Sequence, residues 1–219
     1  MWKNNNLSIV LALLFLLCLV GHSFAGWKAF NADQQEHGQA EVSYGKFLTS
    51  AEYGESIFEN WESEFLQMAM YVFLTVFLYQ RGSSESKKHD GTDEVEEDPL
   101  AHRDDPGVPL PVRRGGWLLS LYKSSLSLAF AVMFLASFTL HGCAGAARQN
   151  EQAREHGKSE RVTTLGYMET AQFWSESLEN WQSEFLAVLS IVLLSIHLRQ
   201  WGSPESKPVH AAHSDTGGG

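Results

Sequence analysis

Between Lys3 and Lys28 the chain carries no acidic or basic residue, and a second charge-free stretch of 24 residues occupies 124–147. Each is long enough to cross a hydrocarbon layer of about 30 Å as a helix of roughly 20 residues, and too apolar to face water along its length. Two shorter apolar blocks, 65–80 and 185–198, alternate with the long ones. At about 1.5 Å per residue, a 16-residue helix reaches only about 24 Å. Each short block therefore needs its N-terminal flank, ENWESEFL or ENWQSEFL, to complete a crossing. Averaged composition, 44% hydrophobic with a formal charge of −10, hides this segregation. With 16 Lys+Arg against 26 Asp+Glu, the chain lacks the basic stripe a nucleic-acid binder needs. Two cysteines cannot frame a disulfide scaffold.

The first block also fits a cleaved signal peptide, with Lys3 as its positive end and Ser23-Phe24-Ala25 before Gly26 as a small-residue cleavage site. The third block argues against that reading, because its flanks are similar and it lies deep inside the chain, where no signal peptide operates.

The chain is duplicated in sequence. Residues 58–87 set against 178–207, an offset of 120, are identical at 16 of 30 positions, including FENWESEFL with LENWQSEFL and QRGSSESK with QWGSPESK. At an offset of 119, Glu36-His37-Gly38 matches Glu155-His156-Gly157, His22 matches His141, Gly26 matches Gly145 and Asn31 matches Asn150. One residue has been gained between the two stretches. The pattern predicts an all-α, four-helix integral membrane protein built from two tandem parallel helix–loop–helix repeats. The first repeat is 1–81, with spans at about 7–25 and 60–80, and the second is 116–201, with spans at about 121–142 and 180–199. Each half crosses an even number of times, so both share one orientation. The Pro-, Gly- and acid-rich stretch 82–115 reads as a disordered linker and 202–219 as a disordered tail. Ten Lys and Arg residues fall in the termini, linker and helix starts, against six in the two intra-repeat loops, which predicts both termini on the cytoplasmic side.

The ENW-x-SEFL segments carry the candidate chemistry. Thr49-x-x-Glu52 and Ser56-x-x-Glu59 are capping-box patterns, so the second helix is expected to begin before the membrane, with Gly54 as a place to interrupt it. Asn60 and Glu64 share a helical face four residues apart, as do Asn180 and Glu184. Trp61 and Trp181 have the position of interfacial anchors. Glu64 and Glu184 have two readings: carboxylates in the headgroup layer, which is favoured, or ionisable groups inside the bundle that mark a proton or ion path. Glu59, Glu62 and Glu179 are expected further out, in solvent. His22 and His141 stand at the outer ends of the first and third helices. Two histidines fall short of the three or four convergent ligands a metal needs, so no metal and no cofactor are expected. The Glu-His-Gly copies read as turns closed by glycine. There is no P-loop, GxSxG, HExxH or CxxC motif, and no catalytic residue is assigned.

FENWESEFLQ followed by an apolar helix and RGSSESK, with LENWQSEFL and WGSPESKPV in the second half, resemble an uncharacterised bacterial membrane-protein family with a duplicated ENW-x-SEFL motif. The resemblance spans nearly the whole chain outside the linker and tail, and implies a four-span protein of the bacterial cytoplasmic (inner) membrane without implying an activity. The resulting expectation is a non-enzymatic structural or interaction module. Its partners are the lipid bilayer and, as an assembly to test, further copies of itself, with no nucleic acid and no protein partner identified. The competing readings are a small oligomeric proton- or cation-coupled channel or transporter using Glu64 and Glu184, and a haem or metal redox protein using His22 and His141.

Overall fold

The structure, a computed structural model, describes residues 2–217 other than Thr92 and Glu160, so one linker position and the last two glycines of the tail lie outside the described residues. Among the described residues there is no strand. The helices are α1 (Trp2–Glu36), α2 (Tyr44–Phe47), α3 (Ala51–Leu74), α4 (Leu110–Arg114), α5 (Gly116–Lys123), α6 (Ser125–Glu155), α7 (Thr164–Met168) and α8 (Ala171–His197). Short 3-10 turns lie at Glu94–Glu96 and Pro99–His102. The chain divides into two compact units. The first comprises Met1–Phe58 with Thr139–Phe173, and the second comprises Glu59–Phe138 with Trp174–Gly219.

Helix limits differ from the sequence reading for local reasons. The second long helix begins at Ala51, not near 60, and Gly54 does not interrupt it. Its first-turn cap is Ser50, whose Oγ accepts from the Tyr53 N–H at 3.2 Å, while Thr49 donates to the Lys46 carbonyl at 3.1 Å. The helix stops at Leu74, short of 80. The predicted span at about 121–142 is broken near its start, at Ser124 between α5 and α6, where the Ser125 hydroxyl donates to the Tyr122 carbonyl at 2.8 Å. Among the described residues, two helices are by length and composition apolar enough to cross a membrane, Lys3–Glu36 and Ser125–Glu155. Only 6% and 17% of their most apolar stretches are buried, unlike the core helix of a water-soluble protein. α3 and α8 fall outside this class because the charged ENW-x-SE segments lie within them.

Unit 1 carries one set of local contacts twice. The Asn31 side chain accepts from the Val42 N–H at 2.8 Å and donates to the Val42 carbonyl at 3.0 Å, and Asn150 does the same to Val162 at 2.8 and 2.9 Å. Next, Ser43 caps α2 by accepting from Lys46 N–H, and Thr163 caps α7 by accepting from Gly166 N–H. The buried ring of each short helix, Phe47 or Tyr167, lies over a glycine, Gly26 or Gly145. Ser50 and Thr170 then open α3 and α8. α1 and α6 are each followed by a histidine whose Nδ1 meets a carbonyl four residues back, and by a glycine at φ +68° or +71°.

Unit 2 also contains matching turns: Ser86 Oγ accepts from Gln80 N–H and Ser206 Oγ accepts from Gln200 N–H, both at 2.9 Å. From Lys87 on, the described part of 82–115 carries short-range polar contacts. Lys87 pairs with Glu96, Asp98 caps Leu100 at 3.1 Å, and α4 packs on α5. His102 lies between two carboxylates, Nδ1 to Asp105 and Nε2 to Glu97, both at 2.9 Å. Both ring nitrogens donate only in the imidazolium, so the hydrogen bond to Asp105, and then that to Glu97, raises its pKa above 6.5. A histidine raised on folding contributes stability below its ordinary pKa and loses it as pH rises through the raised one. The His102 ring signals are expected to titrate above 6.5 by NMR and to move back toward it in Asp105→Asn; an unmoved midpoint would count against the clasp.

Burial runs opposite to that of a water-soluble domain. Among the described residues, six apolar side chains are buried against thirteen polar or charged ones, including Glu55, Glu62, Gln67, Ser137, His141, Ser177 and Ser195. Large apolar side chains such as Leu13, Leu17, Phe77, Val132, Leu135 and Leu186 are exposed by more than half.

Candidate functional site

Unit 1 holds a cleft of about 780 Å³ lined by residues of α1, α3 and α6 and the turns after α1 and α6, among them His22, Asp33, His37, Glu52, Ser56, Arg148, Glu151, Glu155 and His156. Four carboxylates against one guanidinium make its wall acidic and attractive to cations. Arg148, the first charge after the 24-residue apolar stretch, is held by two carboxylates one turn of α3 apart. Its Nε lies 2.7 Å from Glu52, and its Nη1 donates to Glu55.

Glu55 is 1% exposed and also accepts from the Tyr167 hydroxyl at 2.8 Å. That phenol reaches it because Gly145 leaves room for the ring, and a Cβ there would lie 2.1 Å from the Tyr167 Cε1. A His141 ring nitrogen lies within 4.8 Å of the Glu55 carboxylate, and the fully buried imidazole stacks on Phe173 at 4.7 Å. Glu52 and Arg148 thus line the cleft, while Glu55 stands behind them. Burial raises the Glu52 carboxyl above its ordinary range against the opposing pull of Arg148, and the Glu55 charge adds to the rise. Two carboxylates sharing one guanidinium carry a net negative charge when both are ionised. That set can take up one proton or one small cation without creating an uncompensated buried positive charge.

The residues singled out from sequence fall in both units. His22 is exposed on the cleft wall, with its Nε2 3.2 Å from the Ser56 hydroxyl, while His141 is buried and does not line the cleft. In unit 2, Asn60 and Glu64 are exposed, and Asn180 and Glu184 are half-buried. Asn180 donates to Glu59, and the Glu184 backbone carbonyl accepts from Gln67 at 3.0 Å. Glu62, expected in solvent, is instead fully buried and accepts from Ser177 Oγ at 2.7 Å. Trp61 is half-buried. Trp181 belongs to an aromatic cluster, its ring centroid 6.2 Å from both Phe134 and Trp174.

Sequence reasoning missed Glu55, Arg148 and the burial of Glu62. A usable signal was present: Glu55, Glu59 and Glu62 follow an i, i+4, i+7 stripe on α3.

A model of a family described as a domain of unknown function, DUF6766, matches residues 1–218. No curated protein and no solved structure matches the chain.

Proposed function

We propose that this chain, which belongs to the DUF6766 family, is an integral membrane protein that takes up protons or small cations from an acidic cleft and handles them in a polar interior. The observation that carries the reading is the buried Glu55 carboxylate, held by Arg148 and Tyr167 behind the acidic cleft wall. A buried carboxylate directly behind a cation-attracting acidic wall is placed to exchange a proton or small cation with the cleft.

The membrane assignment is supported by the exposed apolar helices and the polar interior. In this reading α3 and α8 complete four spans with their ENW-x-SEFL flanks. The paired Asn–Val, cap and Gly–aromatic contacts support an origin by tandem duplication, and the two copies lie parallel in the membrane. The Lys and Arg bias puts both termini in the cytoplasm of a bacterial cell, with the cleft on the opposite side. Glu64 and Glu184 belong to the same proposal as the carboxylates of the two ENW-x-SEFL segments, one exposed and one half-buried.

The test is proton and cation flux into liposomes containing the purified full chain, beside Glu55→Gln and, separately, a Glu64→Gln, Glu184→Gln double variant. Flux that falls about a hundredfold or more in Glu55→Gln, the scale typical of losing a proton-transfer group, supports the cleft route. Flux lost in the double variant alone moves the path to the ENW-x-SEFL carboxylates. A folded protein with no flux returns the chain to a structural or interaction role, with its acidic loops as the contact surface.

A further inference from the structure

The second QxGSxESK segment ends in a lysine whose ammonium has left solvent. Lys207 is 1% exposed. Its Nζ donates to four backbone carbonyls: Gly82, Ala212 at 3.3 Å, His213 at 3.1 Å and Asp215 at 2.8 Å. The matching residue of the first copy, Lys87, makes a different contact, an ion pair with Glu96. A long amine side chain ordinarily buries its stem and leaves its head in water. Here the head is inside, which is tolerable only because its three N–H groups meet four carbonyl oxygens.

Three of those oxygens belong to the turn 212–215, and the fourth lies 125 residues away in sequence. One charged group therefore ties the start of the linker to the far end of the chain within unit 2. The surrounding bonds close the same joint. Gly82 N–H donates to Thr216 Oγ1 at 2.9 Å, Gly217 N–H donates to the Ser83 carbonyl at 3.0 Å, and Ser83 and Ser195 hydroxyls meet at 2.9 Å. Arg199 reaches the Ala211 carbonyl at 3.3 Å, and the His213 ring lies 5.0 Å from that of His197. Gly82 has φ +85°, and a Cβ there would stand 2.4 Å from the His213 carbonyl oxygen, so the backbone approach requires glycine.

We propose that residues 207–217 form a latch built around a carbonyl cage for one ammonium-sized monovalent cation, a cage the chain fills with its own Lys207. The latch fastens the segment after α8 to the segment after α3. It is independent of the transport reading, since it uses none of the cleft residues.

The experiment uses the full chain in detergent micelles. Brief acylation with an acetyl N-hydroxysuccinimide ester is read at each lysine by peptide mass. Lys88, whose side chain is 51% exposed, is the internal reference. Lys207 is expected to react at about a tenth of the Lys88 rate or less, because reagent reaches a buried amine only through local opening. Hydrogen exchange over 211–217 is then compared in wild type, Lys207→Met and Gly82→Ala. Both variants are expected to speed exchange about tenfold or more while helical content is retained. Acylation of wild-type Lys207 at the Lys88 rate overturns the proposal, and so does unchanged exchange over 211–217 in Lys207→Met. Should Lys207→Met not fold, the wild-type labelling and Gly82→Ala still decide.

Discussion

Alanine at position 145 is expected to lower the stability of the protein by roughly 2–4 kcal/mol, the sum of an overpacked core and a lost hydrogen bond to a carboxylate. The new methyl group would stand 2.1 Å from Tyr167 Cε1, 2.5 Å from Cζ and 2.7 Å from Glu55 Oε1. No rotamer adjustment of a flexible chain end relieves that conflict, because the ring is 1% exposed and its hydroxyl is fixed to Glu55. Tyr167 must leave its position, and Glu55 loses a donor. A helical Gly→Ala change returns about 1 kcal/mol through backbone entropy, which is already set against the total. Gly26→Ala provides the contrast. There the nearest atom is Phe47 Cζ at 3.2 Å, so a shift of a few tenths of an ångström accommodates the methyl. Its net effect is expected within about 1 kcal/mol of zero. Thermal unfolding of both variants in the same detergent, followed by tryptophan fluorescence, compares them directly. Equal midpoints for the two would contradict the seating of Tyr167 over Gly145.

Arg148→Met is the second large effect. Removing the guanidinium leaves Glu55, whose side chain is 2% exposed, beside Glu52 with no opposing charge. Breaking a buried pair from one side typically costs about 3–5 kcal/mol. The Arg148 side chain is itself 30% exposed, so water shares in its charge and the expected loss is roughly 2–4 kcal/mol. The double variant Glu55→Met, Arg148→Met removes both charges, and is expected to recover at least about half of that loss, since an apolar replacement of a whole pair is often near neutral. A double variant as unstable as the sum of the two single changes would mean that the two residues act separately.

The long helices were legible because they depend on local pattern, charge-free runs and glycines at helix ends. The caps were not: Thr49 and Ser56 had the spacing, but Ser50 opens α3, and the short helices capped by Ser43 and Thr163 carry no apolar run to announce them. The orientation of α3 was harder to read. Taking Asn60 and Glu64 as the working face treats the remaining acidic residues as the solvent side, the correct habit for a helix in water. In the structure the polar stripe containing Glu55, Glu62, Ser63 and Gln67 is the buried one. Arg148 could not be assigned to Glu55 from sequence because 93 residues separate them and neither is marked by a motif. The break at Ser124 was likewise missed, although it follows Lys123 at the very start of the charge-free run, where the paired Ser124 and Ser125 offer a hydroxyl to a helix carbonyl.

The two asparagine clamps bear on the lengths of the loops they close. Asn31 closes on Val42 across 11 positions and Asn150 on Val162 across 12. The single extra residue of the second half lies inside this span, between Gly157 and Val162, where the first half runs from Gly38 to Val42. One side chain supplies a donor and an acceptor to the same peptide unit, so the ends of the loop are held at a fixed separation whatever its contour length. Lengthening the loop adds little closure entropy and transmits no shift to the helices on either side. The clamp thus separates a part whose residue count is constrained from a short arc that holds one extra residue in the second segment without changing the register of the next helix.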